Sequence, residues 1–173
     1  SDKVHYALPP DPAGNLDTGK ALQVHTIIFV RAGDPALRSG DPARNFGQRW
    51  LGTNHAAPLI APLRQLGFRV DDGALDAERN LEKLLRNRID GYAISVAAPA
   101  DMDGWVAARF GNAIARLDQP VQTNNIWLAV SKDYQARNPA QVAAMWNWVA
   151  ENGRSRFARI IRKYEKTAPA PGT

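Results

Sequence analysis

The feature that most constrains the fold of this 173-residue chain is a short amphipathic helical pattern that runs almost directly into an apolar strand pattern. Asp76 is a suitable N-cap for a helix that extends to Arg88. Three of its apolar side chains fall on one face: Leu81, Leu84 and Leu85. A strand is predicted at residues 92–97. This succession is typical of alternating α/β proteins with largely parallel strands.

The remaining patterns continue the alternation. Residues 22–30 form a nearly continuous apolar run that predicts a buried central strand, and further strands are expected at residues 48–51, 68–70, 114–121 and 124–131. A helix is expected at residues 57–66, closed by Gly67 and kinked at Pro62, and a less clear one at 101–111. Residues 1–20 and 33–44 are expected to be loops because they are rich in turn-forming residues.

The C-terminal third predicts two helices. Asn138 is a good N-cap and Pro139 a good first helical residue, and Gly153 is expected to stop this helix. Four apolar residues follow at helical spacing: Val142, Met145, Trp146 and Val149. A last helix repeats that spacing with Phe157, Ile160, Ile161 and Tyr164. Residues 167–173 have the composition of a disordered tail.

Composition excludes several classes of site. Hydrophobic (45%) and charged (23%) contents are those of a globular chain, and the absence of cysteine excludes disulfides, a thiolate nucleophile and a cysteine-ligated metal. No apolar run approaches the length of about 18 residues that a membrane helix needs. Ser1 does not begin a signal peptide, so the chain is expected to be cytosolic, processed or trimmed.

The net charge of +5 has a local origin. Between Glu151 and Lys166 six basic side chains oppose two acidic ones, a local charge of +4. A nucleic-acid-binding protein usually spreads basic residues over a face and interleaves base-reading side chains. Here the excess follows one predicted helix, which indicates a solvated face, and no nucleic-acid partner is expected.

The order of these patterns resembles one family. Residues 24–31 are similar to a strand that crosses between two lobes, and residues 49–53 to the first strand of a second lobe and its ligand-binding turn. Residues 84–90 are similar to a helix end followed by an aliphatic residue and Asp, and residues 125–130 to a returning crossing strand. Over roughly residues 22–165 the chain resembles the extracellular solute-binding proteins of family 3, the amino-acid-binding type of ABC importers.

The resemblance implies an α/β fold of the type II periplasmic-binding-protein kind. We expect one complete α/β lobe, together with the C-terminal helices and crossing strand of a second, incomplete lobe. The implied segments are an N-terminal arm (1–21), a hinge-crossing strand (22–31), the second α/β lobe (32–123), a return crossing strand with the C-terminal helices of the first lobe (124–166) and a tail (167–173). It also implies a non-catalytic solute-binding function, a periplasmic location and an inner-membrane ABC permease as partner, with no cofactor.

Two departures from the family pattern modify these expectations. Only residues 1–21 precede the first crossing strand, where the family has a long segment that builds most of the first lobe. The apolar faces of the two C-terminal helices would then lack a cover, which predicts a swapped or self-associated homodimer if the chain is complete. Ser95 occupies the position where amino-acid binders of the family carry an Asp for the ligand's ammonium. An organic acid or another small polar solute therefore becomes a stronger expectation than an α-amino acid.

The best candidate binding residues are Gly52, Thr53 and Asn54. Gly52 allows close backbone approach, while Thr53 and Asn54 are expected to begin a helix, where side chains and free N–H groups hold an anion. The alternative is that Thr53 or Asn54 only caps that helix. Ser95, at the end of a strand, fits the rule that α/β sheets bind ligands beyond their strand ends, although a small residue there also simply closes a strand.

Other candidates rest on position alone. Trp50 could wall a pocket or lie in the core, and Asn124, before the return strand, could face the cleft or be an ordinary loop residue. No metal site is expected, because His5, His25 and His55 lack metal-ligand spacing.

Two other functions remain open. One is a ligand-sensing domain of the same fold in a signalling protein. The other is an enzyme on a similar two-lobed fold, with His55 or Asp76 as general acid or base.

Overall fold

The structure, a computed structural model, describes residues 5–38, 40–157 and 159. A six-stranded mixed sheet organises most of them, with neighbouring strands in the order β4-β3-β5-β2-β6 and β7 paired to β2 as well. A separate two-stranded sheet joins β1 to β8. The strands are β1 (Tyr6–Ala7), β2 (Leu22–Arg31), β3 (Trp50–Asn54), β4 (Arg69–Ala74), β5 (Gly91–Val96), β6 (Ile114–Arg116), β7 (Gln122–Ile126) and β8 (Val130–Ser131).

Only part of the main sheet is parallel. Strands β3, β4 and β5 run in one direction, whereas β2 is antiparallel to β5, β6 and β7. The expectation of a largely parallel sheet is therefore wrong for its β2 half. Strands β6 and β7 share one edge of β2, and the connection between them stays on that edge through Leu117 N–H to Ile28 O and Val121 N–H to Thr26 O. Together they form one long partner for β2.

Helices cover both faces of this sheet. They are α1 (Pro42–Phe46), α2 (Ile60–Gln65), α3 (Ala77–Leu85), α4 (Asp103–Phe110), α5 (Lys132–Arg137) and α6 (Pro139–Trp148). Short 3₁₀ turns occupy Thr18–Lys20 and Pro35–Arg38, and a π-helical turn, Val149–Gly153, follows α6. The Asp76 carboxylate accepts the N–H of Arg79 at 2.8 Å, which confirms Asp76 as the N-cap of α3.

Alternating side chains of the central strands divide the core into two layers. On one face Ile27, Phe29 and Tyr92 pack with Leu81 and Leu84 of α3. The other face is formed by residues that include Ile28, Val30, Phe46, Leu51 and Leu63, and it meets α1 and α2. This alternation follows from the period of two along a strand, which sends neighbouring residues of β2 to opposite layers.

The amino ends of β3 and β5 are closed by an ionic network. Arg31 donates to the carbonyls of Leu84 and Ile89 at 2.7 and 2.8 Å, and to Asp90 at 3.3 Å. Beside it, Arg49 pairs with the buried Asp34. Burial by itself would raise the pKa of Asp34. Hydrogen bonds from Arg49 and the Ala36 N–H, and the charges of Arg49 and Arg31, outweigh burial and hold that pKa below its usual range.

Several sequence-based boundaries are corrected. The region expected to be a loop at residues 33–44 contains α1, because the Asp41 carboxylate accepts the N–H groups of Ala43 and Arg44 and Pro42 suits the first turn. Pro62 lies in the first turn of α2, where no intrahelical N–H is needed, so it does not interrupt a hydrogen bond. The strand expected at residues 124–131 is split into β7 and β8.

The terminal region packs against the start of β2. Trp146 of α6 donates its indole N–H to Leu128 O at 2.8 Å, and Trp127 donates to Asp17 O at 2.9 Å. The Asn138 amide donates to Tyr134 O instead of capping α6, and Gly153 does not end the helical path, which continues through residues 154–157. Most of the helix predicted around Ile160 to Tyr164 lies outside the described residues.

Candidate functional site

The carboxyl ends of β3, β4 and β5 meet at one edge of the sheet, because these three strands are parallel. Strand β2 runs the opposite way, so its first residues, paired with β7, extend past the end of β5. His25 lies opposite Val96, the last residue of β5. Ligands of open α/β sheets bind beyond the carboxyl ends of the strands, so this edge is the candidate site.

The best-organised side chain at this edge is Asn54. Its amide oxygen accepts two hydrogen bonds, from the Asn80 amide at 3.1 Å and from the Tyr92 hydroxyl at 3.0 Å. The Asn80 amide also donates to Asp76 O at 2.9 Å, which ties the pair to the start of α3. With its oxygen occupied, the Asn54 amide nitrogen makes no hydrogen bond within the described part of the chain. Asn54 is half-buried, and its NH₂ group is a donor held in a fixed position.

The turn after β3 adds a histidine and a strained residue. His55 Nδ1 lies 3.2 Å from Asp72 O, and because a carbonyl only accepts, this nitrogen carries the proton and donates. The ring's Nε2 is left for another group. Ala56 follows with φ of 57°, a conformation that costs free energy for a residue with a Cβ. Such strain concentrates at binding and catalytic loops.

Gly52 and Thr53 lie within β3, not in a turn. A Cβ on Gly52 would come within 2.4 Å of Ile89 Cδ1 and 2.8 Å of Asn80 Oδ1, so the absence of a side chain lets α3 approach the strand. Thr53 is 1% exposed, and its hydroxyl has no hydrogen-bond partner in the described residues. The Asn80 amide oxygen is likewise fully buried and has no hydrogen-bond partner in the described residues. Unsatisfied buried groups are uncommon, and two of them lie next to this edge.

The expectation that Thr53 or Asn54 begins or caps a helix is wrong. Helix α2 starts at Ile60, and its N-cap, Leu59, makes no side-chain hydrogen bond. Four residues separate Asn54 from Leu59, so the side chains of β3 do not reach the first turn. Anion binding by a helix N-terminus therefore does not apply here, and the side chains themselves are the available groups.

The other predicted residues are distributed along the sheet. Ser95 lies one residue before the end of β5, half-buried and opposite Thr26. Ala93, two residues earlier on β5, packs in the core layer of α1 and α2. Side chains two residues apart on a strand point the same way, so Ser95 faces that layer, whereas Asn54 contacts α3. Asn124 is exposed on β7, opposite Val24 at the crossing.

Trp50 is not brought together with the other predicted residues. It begins β3, at the end of the strand opposite Asn54. Its backbone N–H donates to Asp90 at 2.9 Å. The guanidinium of Arg69 lies 4.1 Å from the centre of its ring.

The crossing strands contribute a polar pair, of which the sequence indicated Thr123 as a residue that could face the cleft but not His25. His25 Nδ1 lies 2.8 Å from the Thr123 hydroxyl on β7. Burial lowers the pKa of His25, and the negative charge of Asp101 opposes this only in part. The ring is therefore neutral at neutral pH.

This edge offers hydrogen-bond donors and neutral polar groups. The carboxylate of Asp76 already accepts the Arg79 N–H, and that of Asp101 accepts the Ala98 N–H at 2.8 Å. No group of three potential metal-ligating side chains occurs among the described residues. Donors and neutral polar groups, with His55 Nε2 as an acceptor, suit the binding of a polar solute that carries oxygen atoms.

Two members of this site were missed from the sequence, Asn80 and Tyr92. Asn80 lies on the apolar face of α3, with Ala77, Leu81 and Leu84 at helical spacing around it. A lone amide on such a face was a usable signal, because buried polar side chains need partners. Tyr92 gave no comparable signal, since its ring is an ordinary core group.

Comparison with solved structures identifies the architecture. The YckB protein from Bacillus subtilis matches 99% of this chain with a TM-score of 0.58 and 11% identity, over 64% of its own length. The GluR0 ligand-binding core in complex with L-glutamate matches 79% of this chain with a TM-score of 0.54 and 7% identity. The fold is that of a type II periplasmic binding protein.

The arginine-bound substrate-binding protein AbpA from Streptococcus pneumoniae matches with a TM-score of 0.51 and 14% identity, over 98% of this chain. The chain spans 60 to 66% of the lengths of these three structures. No protein-family model matches the sequence, and no curated protein does.

The type II fold accounts for the division of the molecule. The chain contains one α/β lobe, with the crossing strand and C-terminal helices that belong to a second lobe, as the sequence indicated. Within the described residues, no helix combines the length and apolar character needed to span a membrane.

Proposed function

We propose that this chain is a non-catalytic component that binds a small polar solute for an ABC-type importer. One observation carries the proposal. At the carboxyl ends of the parallel strands, Asn80 and Tyr92 fix the amide of Asn54 so that its nitrogen remains a free donor. A side chain held in this way by buried partners is preorganised, so binding a ligand orders little that was mobile before.

The same edge favours a solute that presents oxygen atoms. Asn54 supplies N–H donors to the solute's oxygen atoms, and His55 Nε2, beside the strained turn, can accept a hydrogen bond from a hydroxyl group of the solute. Thr53 and Ser95 supply hydroxyls on the opposite layer, Asn124 an exposed amide on β7, and Gly52 the close packing that seats Asn80. Because Ser95 brings no counter-charge for an ammonium group, we assign an organic acid ahead of a polar amino acid. Trp50 has no part in this assignment.

The partner and location are inferred from the proposed role. A component of this kind works in the periplasm and delivers its solute to an inner-membrane ABC permease. Residues 22–31 and 124–126 would act as the hinge between the lobe at 32–123 and the terminal region. The pairing of β2 with β7 supports this assignment, because it forms a two-stranded connection beyond the end of β5.

An enzymatic role has less support. It needs a general acid or base in the cleft, and the carboxylate of Asp76 is committed to capping α3. His55 alone remains, with Nδ1 hydrogen-bonded to a backbone carbonyl. A sensor domain would use the same site, so measurements of binding test both importer and sensor.

The decisive experiment is a binding screen on the Asn54→Asp variant. Aspartate keeps an acceptor for Asn80 and Tyr92, removes the N–H donors and adds a negative charge. Native mass spectrometry of the wild-type chain with a panel of dicarboxylates, hydroxy acids and amino acids would identify the bound solute, and calorimetry would give its affinity. We expect the variant to lose at least about tenfold in affinity for an organic acid, the loss expected when a charged ligand meets an unpaired like charge.

Asn112→Asp is the matched control, since Asn112 is an exposed amide in the turn after α4. We expect it to bind as the wild type does. Equal affinities of all three proteins for the same solute would contradict the assignment of Asn54, and the absence of any adduct from the panel would contradict a solute receptor.

The native mass spectra of the wild-type chain also report its oligomeric state. Of the eleven large hydrophobic side chains that are exposed among the described residues, seven lie in the arm and the terminal region: Tyr6, Leu8, Leu16, Ile126, Leu128, Tyr134 and Trp148. Because contiguous exposed apolar surface usually has a partner, we propose that two copies cover it as a self-associated or swapped homodimer. A monomer at micromolar concentration, with Trp148 exposed to quenchers, would contradict the dimer.

A further inference from the structure

The outer edge of β4 borders a groove that the proposed solute site does not use. Strand β4 pairs with β3 on one side, and it is the terminal strand of the sheet. Two depressions of about 350 and 430 Å³ lie beside it and share Gly73 and Arg88, so they form one continuous groove. We call it the β4 groove. Helix α3 forms its other wall. The groove is lined by both cationic and acidic side chains: Arg79, Lys83, Arg86 and Arg88, with Asp71, Asp72 and Glu82.

Most of the cations in the β4 groove are weakly engaged. Lys83 is bound to Asp71 at 2.7 Å. In contrast, the side chains of Arg79 and Arg86 are 60% and 64% exposed, and they lie 3.7 and 3.9 Å from their acidic neighbours. Arg88 makes no ion pair with any residue that the structure describes. Three guanidinium groups therefore line the groove with capacity for a carboxylate, which a guanidinium binds through two parallel hydrogen bonds.

The ends of the β4 groove are apolar. Trp50 lies at one end with 41% of its surface exposed, and Leu75 at the other with 45% exposed. Between them runs the length of β4, six residues or about 20 Å of extended chain. Gly73, the fifth of these six residues, adds no side chain to the groove, and its N–H donates to the Asp71 carboxylate at 2.9 Å. The groove thus has the length of a strand, cationic side chains along it and an apolar contact at each end.

We propose that the β4 groove binds an extended, carboxylate-bearing segment of a partner protein, which adds to the free edge of β4. Main-chain hydrogen bonds supply affinity in such strand addition, and side-chain contacts supply specificity. Here the arginines would select acidic side chains, while Trp50 and Leu75 would take apolar ones. The inference stands independently of the solute-binding function, because Asn54, Asn80 and Tyr92 do not line the groove.

A defined peptide tests the proposal on the intact chain. The probe is a terminally blocked peptide of about six residues that alternates glutamate and valine, a length that matches β4. We expect saturable binding, weakened by salt, with slower amide hydrogen exchange at residues 69–74. Saturable binding that protects amides elsewhere, or no saturable binding by the folded chain, would overturn the proposal.

Charge variants locate the contact. The double variant Arg86→Glu/Arg88→Glu is expected to lower affinity by about tenfold or more, because the acidic probe then meets like charges. Arg44→Glu makes the same kind of change on α1, at an exposed residue without an ion pair in the described chain, and should alter affinity by no more than about twofold. Hydrogen exchange in the core strands verifies that each variant is folded. An unchanged affinity of the double variant would contradict the groove.

A second probe separates strand addition from simple attraction of charge. Replacing the valines by prolines keeps the carboxylates but removes backbone donors and disfavours pairing within a sheet. This probe is expected to bind at least about tenfold more weakly. Equal affinity of the two probes would show an anion site only and would overturn strand addition. The same conclusion would follow if inorganic phosphate, at an equal concentration of negative charge, fully displaced the glutamate–valine peptide.

Discussion

The two ends of the parallel strands β3 and β5 are built in opposite ways. At the amino end, Arg31 uses its guanidinium on two carbonyls and on Asp90, and Asp90 accepts the Trp50 N–H at 2.9 Å. At the carboxyl end, the Asn54 amide nitrogen and the Thr53 hydroxyl have no partner within the described residues. The amino end uses its polar groups in hydrogen bonds within the chain. The carboxyl end leaves some of its polar groups without a partner among the described residues.

This contrast separates stability from binding. A satisfied network of charged hydrogen bonds fixes how strands and helix ends meet, and breaking it leaves buried groups unpaired. Unused donors and acceptors contribute nothing to the free chain, but they give a ligand something to bind. Proteins commonly accept such a loss of stability at functional sites. Variants at the two ends should therefore differ in which property they change.

The largest effect is expected from Arg31→Met. The substitution keeps most of the side-chain volume but leaves the carbonyls of Leu84 and Ile89 and the carboxylate of Asp90 without their donor. Hydrogen bonds to charged groups are worth more than neutral ones, but this network is partly exposed, so we expect a loss of about 2 to 3 kcal/mol in the free energy of unfolding. Urea denaturation measures it.

Arg44→Met is the control for Arg31→Met, because Arg44 is exposed on α1, and it should change stability by no more than about 0.5 kcal/mol. Solute affinity of folded Arg31→Met should remain that of the wild type. Equal stabilities of the two variants would show that the Arg31 network at the amino end contributes no more to stability than an exposed surface residue.

The next largest effect is expected from Gly52→Ala, which lies between the two ends. The new methyl group would overlap Ile89 and press on Asn80, so we expect a loss of about 1 to 2 kcal/mol. Unlike Arg31→Met, this variant should also weaken solute binding, because Asn80 holds Asn54 in place.

Gly104→Ala is the matched comparison for Gly52→Ala. A Cβ there meets nothing within 4 Å, and the residue is helical, so stability should rise by about 0.5 kcal/mol. Chemical denaturation and calorimetry on both glycine variants give the two readouts. Retention of full stability by Gly52→Ala would show that α3 can move away from β3 at little cost.

Local patterns predicted the elements whose causes are local. The apolar run of β2, the Asp76 cap of α3 and the spacing of Leu81 and Leu84 each depend on neighbours in sequence, and each was found. The centre of β4 was missed because its two aspartates and Gly73 are poor strand formers. Asp71 is stabilised there by Lys83, twelve residues away, and no local pattern shows such a partner.

The candidate site was predictable only in part. Asn54 was predicted from its place in a Gly-Thr-Asn turn after a short strand, and its binding role stays a prediction. The helix start assigned to it was wrong, since the turn at His55 and Ala56 delays α2 to Ile60. The partners that make Asn54 a fixed donor lie 26 and 38 residues farther along the chain. Pairing over such distances is set by the register of β3 with β5 and by the packing of α3, which appear only in the folded chain.

The smallest effect is a pH dependence at the ion pair between Asp71 and Lys83. Burial alone would raise the pKa of Asp71, but the hydrogen bonds from Lys83 and the Gly73 N–H, with the Lys83 charge, hold that pKa below its usual range. A depressed folded-state pKa stabilises the protein fully above the unfolded-state pKa of about 4, and this stabilisation disappears as the pH falls through the folded-state value.

Lys83→Met should therefore cost stability at neutral pH and less in acid. Both side chains are partly exposed, so we expect a difference of about 0.5 to 1 kcal/mol from the wild type at pH 7, which shrinks as the pH falls below the unfolded-state pKa of about 4. Urea denaturation of both proteins across this range measures the difference. A gap that stays constant with pH would mean that Lys83 acts through its aliphatic stem against the sheet. In that case packing, and not the ion pair between Asp71 and Lys83, would hold the edge strand β4 in place.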